Sequence, residues 1–358
     1  MLLEENKPLA PFTTLEIGGP ARWFAEATTE DDVVEAARWA RKKRIKTFVL
    51  GGGSNLLVAD AGFDGLVLHV HLQGIETADA EGQRIYKSAA GEDWDAFVER
   101  TVKENCAGIE CLAGIPGTVG GTPVQNVGAY GQEVAPVIER VRAFDLLDRA
   151  FVELTTAECG FAYRRSRFNS SDQGRYIVTR VDYRLTPGGA ATLRYVDLQR
   201  AFPGDARPSL SEVAAVVRRV RQSKGMLLVE EDTDCRSAGS FFKNPVVTEE
   251  QVRQIAQASM KEPPRFPAGN ERGNVGRVKI PAAWLIEQAG FAKGYALGQA
   301  GISSRHTLAL INRGGATARE LLALAGTITT AVEARFGIRL EKEPVLLGFQ
   351  DQIPELTA

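Results

Sequence analysis

The chain has 358 residues, a length that predicts two or three domains instead of one core. Its 44% hydrophobic and 25% charged residues are typical of a globular protein in water, and no run approaches the roughly 18 apolar residues of a membrane-spanning helix. The net charge of −2 argues against nucleic acid as a partner, because nucleic-acid-binding domains carry a basic surface.

The N-terminal residues lack a basic stretch followed by an apolar one, so we expect a cytoplasmic protein. Its four cysteines contain no CxxC pair and are expected to be reduced. The three histidines show no metal-ligand spacing, and we predict no metal site. His69 and His71 alternate in a predicted strand; a metal pair is one interpretation, but a solvated strand face is favoured.

The first segment, residues 1–75, predicts a small α+β unit. Thr29 can cap the start of a helix, and the acidic residues of the helix's first turn favour that start. The helix is predicted to end near Arg44. A strand at Lys46–Leu50 then leads directly into the run Gly51–Asn55.

The second segment, residues 76–207, is richer in strands. A helix that begins near Trp94 interrupts them, and further strands are predicted at Ile85–Ala90, Val141–Leu146, Phe151–Thr155 and Ile177–Leu185. In the last of these strands the side chains of Ile177, Val181, Tyr183 and Leu185 should face inward.

The third segment, residues 208–339, contains three helix starts with capping-box spacing: Ser209 with Glu212, Thr248 with Gln251, and Thr317 with Glu320. The last helix should end at Gly337, a favourable C-terminal cap residue. A closing strand is predicted at Leu340–Gly348.

Two glycine-rich loops carry the first functional signal: Gly51–Asn55, and Gly114–Gly121 followed by Gln125–Gly131. Glycines allow backbone N–H groups to converge on a diphosphate. Neither loop has the Walker lysine or the G-x-G-x-x-G pattern of a Rossmann fold. One such loop is more often a structural turn, but two of them make a dinucleotide cofactor an equal alternative.

Three further motifs are Phe161–Arg164, Ser237–Pro245 and Leu340–Gly348. With the glycine loops, they resemble the UDP-N-acetylenolpyruvoylglucosamine reductase family, whose flavin-binding part is of the vanillyl-alcohol-oxidase class. The likeness extends from about Thr13 to Gly348. It implies an α+β fold: a two-subdomain FAD-binding module, formed by residues 1–75 with 340–358 and by residues 76–207, and an α+β substrate-binding domain at residues 208–339.

The resemblance implies non-covalent FAD as cofactor, since no histidine lies in or next to the glycine loops and Cys111 is expected in the core. It also implies NADPH as co-substrate and UDP-N-acetylglucosamine enolpyruvate as the substrate, which is reduced to UDP-N-acetylmuramate for peptidoglycan synthesis. The candidate FAD contacts are Gly51, Gly52, Gly53, Ser54, Asn55, Ile115, Pro116, Gly117, Gly120, Gly121, Asn126, Ala129 and Tyr130.

Three candidate catalytic residues follow from the resemblance. Ser240 would donate a proton with Lys243 as its support, and Arg164 would bind the substrate carboxylate. Without the resemblance, Ser240 would be a capping serine and Arg164 a surface arginine. Glu343 would support the enolate; Glu341 stays an alternative, because the family's Leu-x-Pro-Glu-Val-Arg is replaced here by Leu-Glu-Lys-Glu-Pro-Val.

The resemblance also implies substrate contacts from Tyr195, Lys224, Asn244 and Gln288. Tyr195 matches a mobile loop that closes over the substrate in one of the family's two types, although Val196 replaces the common glycine. Lys224 and Gln288 could instead be ordinary polar residues at helix ends. The acidic stretch Gly225–Asp234 matches nothing and is expected to be an exposed loop, and we expect a monomer.

Two other functions remain open at this stage. A flavin-dependent oxidase of the same class would need neither Ser240 nor the Tyr195 loop, and it would consume oxygen without NADPH. A non-catalytic flavin- or nucleotide-sugar-binding module would tolerate replacement of Ser240 by alanine.

Overall fold

The computed structural model describes residues 1–268 and 276–349. The N-terminal part is a four-stranded sheet covered by one helix. Its elements are β1 (Leu3–Pro8), β2 (Pro20–Ala27), α1 (Glu30–Lys43), β3 (Thr47–Leu50), β4 (Leu56–Val58) and β5 (Phe63–Val70). The strand order is β1-β2-β5-β3, with β5 parallel to both of its neighbours.

Helix α1 begins and ends as its sequence predicts. Thr29 and Asp32 form a reciprocal capping box, and Arg44 ends the helix in the left-handed conformation. Val33, Ala36 and Ala40 face the core that this helix shares with the second sheet.

The second part is built on a larger antiparallel sheet. Its elements are β6 (Ile75–Ala80), β7 (Gln83–Ala89), α2 (Trp94–Lys103), β8 (Cys106–Ala107), β9 (Gly128–Ala129), β10 (Gln132–Glu133), β11 (Ile138–Asp145), β12 (Ala150–Thr155), α3 (Thr156–Cys159), β13 (Tyr176–Pro187) and α4 (Val196–Ala201). The sheet order is β12-β11-β13-β7-β6, with β8 on the end of β13. The four side chains predicted to face inward from β13 are each fully buried.

The third part carries helices around two small sheets. Its elements are α5 (Leu210–Ser223), β14 (Val246–Thr248), α6 (Glu249–Ser259), β15 (Phe266–Pro267), β16 (Arg277–Lys279), α7 (Ala282–Gln288), β17 (Ala296–Leu297), β18 (Ala300–Ile302), β19 (Leu310–Asn312) and α8 (Ala318–Phe336). All three predicted capping boxes form, and Gly337 ends α8 with φ +67°. Phe241 and Phe242 lie in this part's core.

The chain closes by returning to its beginning. The predicted closing strand is much shorter than Leu340–Gly348, because only β20 (Val345–Leu347) is regular. Strand β20 pairs in parallel with β4, and Leu347 packs into a small core with Leu50, Leu56 and Val58. Strand β20 therefore packs with the first segment, whereas the preceding residues 341–343 pair with residues 241–243 of the third. The domain boundaries near residues 75, 207 and 339 remain our proposal.

Among the described residues, no helix combines the length and apolar character needed to cross a membrane. All four cysteines are buried and unpaired, and Cys111 is a core residue.

Candidate active site

A cavity of about 1200 Å³ lies where the three parts of the chain meet. Both glycine loops line it, together with Ser237–Ser240, the end of α5 and the segment before β20. Its volume exceeds the upper end of the usual range for small-molecule sites, so it can hold a large ligand or two ligands together.

The two glycine loops approach each other so closely that side chains would not fit between them. A Cβ atom on Gly52 would lie 2.6 Å from Gly117 Cα, and one on Gly53, where φ is +59°, would lie 1.8 Å from the Phe12 carbonyl oxygen. Glycines at these positions allow the backbone of both loops to line the cavity closely, as a diphosphate cradle requires.

Tyr130 and Asn126 are both left-handed, with φ values of +49° and +47°, but they have different surroundings. Tyr130 lines the cavity. The Asn126 amide instead donates to Glu133 Oε2 (2.9 Å) and to the Ala162 carbonyl (3.1 Å), and its oxygen accepts from the Ala135 N–H. The geometry therefore does not support a direct FAD contact from Asn126, which connects the second glycine loop to the segment before Arg164.

All other candidate FAD contacts line the cavity: Gly51, Gly52, Gly53, Ser54, Asn55, Ile115, Pro116, Gly117, Gly120, Gly121 and Ala129. Asn55 also joins the first loop to two other parts of the wall. Its amide donates to Gln125 Oε1 (2.6 Å) and to the Glu343 carbonyl (3.4 Å).

Arg164 lies in the cavity wall in a left-handed backbone conformation with φ +56°. One Nη donates to the Gly128 carbonyl (2.8 Å), and its Nε lies 2.9 Å from Glu343 Oε1. That second contact has an ion-pair distance but not the angle of a hydrogen bond, so the buried Nε has no directed acceptor. A bound carboxylate could supply that acceptor.

Glu343 is nearly buried, and burial raises the pKa of its carboxyl group against the opposing effects of Arg164 and Lys243. Glu341, the alternative candidate, is 77% exposed and lies 3.5 Å from Lys243 Nζ. Of these two residues only Glu343 lines the cavity, so the geometry favours Glu343 as the candidate catalytic carboxyl group.

Ser240 reaches the same cavity through a short backbone pairing. The Lys243 N–H donates to the Glu341 carbonyl, and the Glu343 N–H donates to the Phe241 carbonyl, each at 2.9 Å. Gly239, with φ +70°, turns the chain immediately before Ser240. The buried phenylalanine pair after Ser240 fixes this segment to the core, so Ser240 and Glu343 are presented from adjacent backbones.

The predicted substrate residues Tyr195 and Lys224 are brought together. Their contact includes Tyr130, whose ring centroid lies 5.2 Å from that of Tyr195. Lys224 Nζ lies 5.7 Å from both ring centroids and 3.1 Å from Asp197 Oδ2. Burial alone would lower the pKa of Lys224, but electrostatic interactions with Tyr195 and Tyr130 and the hydrogen bond to Asp197 raise it.

Asn244 lines the cavity, and its side-chain oxygen accepts from the Ala282 N–H at the start of α7 (2.9 Å). Gln288, at the other end of α7, is not among the lining residues. Its carbonyl accepts a hydrogen bond from Arg335 instead. The geometry thus supports the predicted contact from Asn244 but not that from Gln288.

Several lining residues were not predicted. Arg221 is 6% exposed and donates from Nε to the Gly114 carbonyl (2.9 Å) and from Nη2 to the Met226 carbonyl (2.6 Å). It takes part in none of the ion pairs among the described residues, and burial lowers the pKa of its guanidinium. In the sequence, Arg221 could have been singled out only as a charged residue on the apolar side of a predicted helix.

Lys279 and Tyr163 form a lysine–tyrosine contact like that of Lys224 with Tyr195, with Lys279 Nζ 3.6 Å from the Tyr163 ring centroid. His306 also lines the cavity, where burial and two nearby lysines lower its pKa to about 4, so its ring is neutral near pH 7. Lys279 lies in a three-residue strand and His306 in a turn, and neither position is recognisable from a short motif.

The cavity is positively charged although the whole chain is slightly acidic. Two of its described lining residues are acidic, Glu133 and Glu343; six are basic, namely Arg164, Arg194, Arg221, Lys224, Lys243 and Lys279. This excess favours anionic ligands such as diphosphates. The described residues contain no cluster of three or more potential metal ligands.

Glycine loops around a large cationic cavity define a nucleotide-cofactor site, and comparison identifies its class. Residues 21–150 match a family model described as an FAD binding domain. The chain is therefore an FAD-dependent oxidoreductase, and the cradle formed by the two glycine loops fits FAD.

Residues 229–347 match the model of the UDP-N-acetylenolpyruvoylglucosamine reductase C-terminal domain. Proteins of that name from Nocardia farcinica and Streptomyces coelicolor are 47% and 46% identical to the chain; the alignments cover 97% and 96% of the chain and 90% of each relative. The Thermus caldophilus UDP-N-acetylenolpyruvylglucosamine reductase crystal structure matches with a TM-score of 0.66 at 27% identity, covering 97% of this chain and all of that one.

The chain belongs to the UDP-N-acetylenolpyruvoylglucosamine reductase family. The resemblance drawn from Ser237–Pro245 and the glycine loops is therefore confirmed, as is the α+β fold with an FAD-binding part followed by a C-terminal domain.

Proposed function

We propose that the chain reduces UDP-N-acetylglucosamine enolpyruvate to UDP-N-acetylmuramate, using NADPH, in peptidoglycan precursor synthesis. One observation carries the proposal: Arg164, Ser240 and Glu343 converge on the cavity that both glycine loops line. FAD held by the two glycine loops would supply the hydride chemistry that links NADPH to the enolpyruvyl group. All other requirements fall on side chains of this protein.

Negative charge develops next to the substrate carboxylate when the hydride arrives. Arg164 is suited to bind that carboxylate, because it lines the cavity and its guanidinium fork is rigid. A donor held in place for such a charge is worth about 3–4 kcal/mol in the transition state.

Glu343 supports the same enolate as a neutral acid. Burial raises its pKa, which increases the fraction of its carboxyl group that is protonated and able to donate a hydrogen bond. Protonation also prevents repulsion between the Glu343 carboxylate and the developing charge.

Ser240 is the proposed donor of the final proton. A serine hydroxyl is a weak acid, so it can serve only against a strongly basic carbon such as this enolate. Lys243 lines the cavity close by in sequence and adds positive charge that favours the alkoxide left behind. The proton then returns to Ser240 from solvent.

Lys224 and Lys279 would bind the substrate diphosphate, while Tyr195, which packs against Tyr130, would cover the bound substrate. Tyr195 is 36% exposed, as a residue in a covering loop would be. The ring of Tyr195 offers a surface for stacking.

The test has two parts. The purified protein should carry FAD absorbance, and NADPH oxidation should depend on UDP-N-acetylglucosamine enolpyruvate with UDP-N-acetylmuramate formed in equal amount, as measured by mass spectrometry. Oxygen consumption that needs no UDP-sugar would identify an oxidase instead. Failure to bind FAD would remove the basis of the proposal.

A further inference from the structure

An acidic loop, residues 225–236, forms one wall of the cavity, and the family resemblance assigned it no role. Met226, Leu228 and Cys235 of this loop line the cavity. It is not simply an exposed loop as the sequence suggested, because Gly225 and Asp234 are buried. The loop also carries four acidic residues, Glu230, Glu231, Asp232 and Asp234, next to these lining positions in sequence, although none of the four lines the cavity.

Arg305 neutralises the two carboxylates of the acidic loop that face the protein. Its Nε donates to Asp234 Oδ2 (2.9 Å), and Nη2 donates to Asp232 Oδ2. Ser304 adds hydrogen bonds to Asp234 from its N–H (3.2 Å) and its hydroxyl (2.6 Å). Although burial opposes it, these contacts lower the pKa of Asp234, so its carboxylate stays charged and paired.

The same guanidinium also reaches the other end of the acidic loop. Arg305 Nη1 donates to the Gln222 carbonyl (3.1 Å), two residues before Lys224. Its own backbone is fixed by the fully buried Ser303, whose hydroxyl accepts from the Arg305 N–H (3.0 Å) and the His306 N–H (3.2 Å). One side chain thus joins three segments that contribute Lys224, the acidic loop and His306 to the cavity.

We propose that Arg305 is a positioning residue for the UDP-sugar: it holds the acidic loop at its base, so that Lys224 and the loop's lining residues keep their places, and it neutralises Asp232 and Asp234 behind the wall of a cavity that receives a diphosphate. The inference rests on the proposed function. Only an arginine fork can donate to Asp232, Asp234 and Gln222 together, so lysine should replace it incompletely.

Arg305→Met tests this in the FAD-loaded enzyme. The Kd of UDP-N-acetylglucosamine enolpyruvate should rise about ten- to hundredfold, because breaking a partly buried ion-pair network leaves uncompensated charge. The FAD Kd and the rate of flavin reduction at saturating NADPH should stay within about threefold of the wild-type values. The Kd of the UDP-sugar for Arg305→Lys should lie between those for the wild type and Arg305→Met.

Two comparisons separate positioning from folding. Arg265 also binds two carboxylates, Glu249 (3.1 Å) and Glu262 (3.0 Å), but on the surface, so Arg265→Met should leave every value unchanged. Adding Asp232→Asn to Arg305→Met should recover part of the lost affinity, because one unpaired carboxylate is removed. The affinity loss of Arg305→Met should also shrink at high salt.

An unchanged UDP-sugar Kd in Arg305→Met would overturn the inference. The inference would also be overturned if FAD binding or flavin reduction fell as much as the affinity for the UDP-sugar, because Arg305 would then serve only the fold. Failure of the proposed function would look different, because the wild-type protein would bind FAD and yet show no affinity for the UDP-sugar.

Discussion

Arg164 occupies a backbone conformation that costs a residue with a side chain about 1–3 kcal/mol. The strain is confined to the segment that carries Arg164 into the cavity, and hydrogen bonds from Asn126 to Ala162 and from Arg164 to Gly128 hold it there. Strain of this kind persists only where the surroundings determine the geometry. It places the guanidinium next to Glu343 without a helix or strand to support it.

Replacing Ser240 with alanine should separate the two half-reactions. Flavin reduction by NADPH should stay near the wild-type rate, whereas reoxidation by the UDP-sugar should slow by about 10²–10⁴-fold, the usual contribution of a positioned acid. Stopped-flow absorbance measures both steps. Ser223→Ala, which removes a hydroxyl bonded to the Val220 carbonyl on the exposed end of α5, is the control and should change neither. Equal slowing of both steps would argue that Ser240 only shapes the site.

Glu343→Gln should make stability less dependent on pH. The native pKa of Glu343 is raised above the unfolded value of about 4.3, so the native state retains the proton longer. The contribution of Glu343 to stability is therefore full below the unfolded pKa and declines as pH rises through the native pKa. Thermal unfolding from pH 4 upward should show that the melting temperature of Glu343→Gln rises relative to that of the wild type as pH rises. Glu341→Gln, at an exposed position, should show no such trend.

At the scale of elements, regular structure follows the local sequence signals closely. The Thr29 cap of α1, the capping boxes of α5, α6 and α8 and the inward side of β13 all form as their patterns predict. These signals are local, because a cap or an alternating strand needs only a few neighbouring residues. The closing strand was overestimated because the backbone of residues 341–343 instead pairs with residues 241–243, a contact between segments far apart in the sequence.

The close contact between the two glycine loops predicts that FAD affinity depends on how tightly these loops pack. Gly52→Ala would place a methyl group 2.6 Å from Gly117 Cα, so the loops must separate and FAD affinity should fall about tenfold to hundredfold. Titration of the FAD-free protein with FAD measures this. Gly326→Ala lies in α8 with open space around it and should bind FAD normally, with a slightly higher melting temperature.

At the scale of the whole molecule, the site is assembled from segments far apart in the chain. The motifs around Arg164, Ser240 and Glu343 could be recognised separately, because each carries an unusual local string of residues. Arg221, Lys279 and His306 could not, since only tertiary packing turns a helix residue, a strand residue and a turn residue toward one cavity. For the same reason, the chemistry of Asn126 and Gln288 suggested ligand contacts, whereas neither is among the residues that line the cavity.

The closure of the chain can be tested at Leu347. Its side chain is 1% exposed in the small core beside β4, so Leu347→Ala should cost about 2–5 kcal/mol of unfolding free energy and weaken FAD binding. Val345 belongs to the same strand but is 41% exposed, and Val345→Ala should cost less than about 1 kcal/mol. Denaturant unfolding compares the two. Similar losses in both variants would show that the strand pairing, and not the core, carries the stability.

The pairing of β20 with β4 also bears on the order in which the protein can mature during translation. Strand β20 and the neighbouring Glu343 leave the ribosome long after β4, the strand with which β20 pairs. A nascent chain can therefore form α1 and most of the FAD-binding framework before β20 emerges, but it cannot close the cavity until then. Chains that stop before β20 should accordingly bind FAD more weakly than chains that include it.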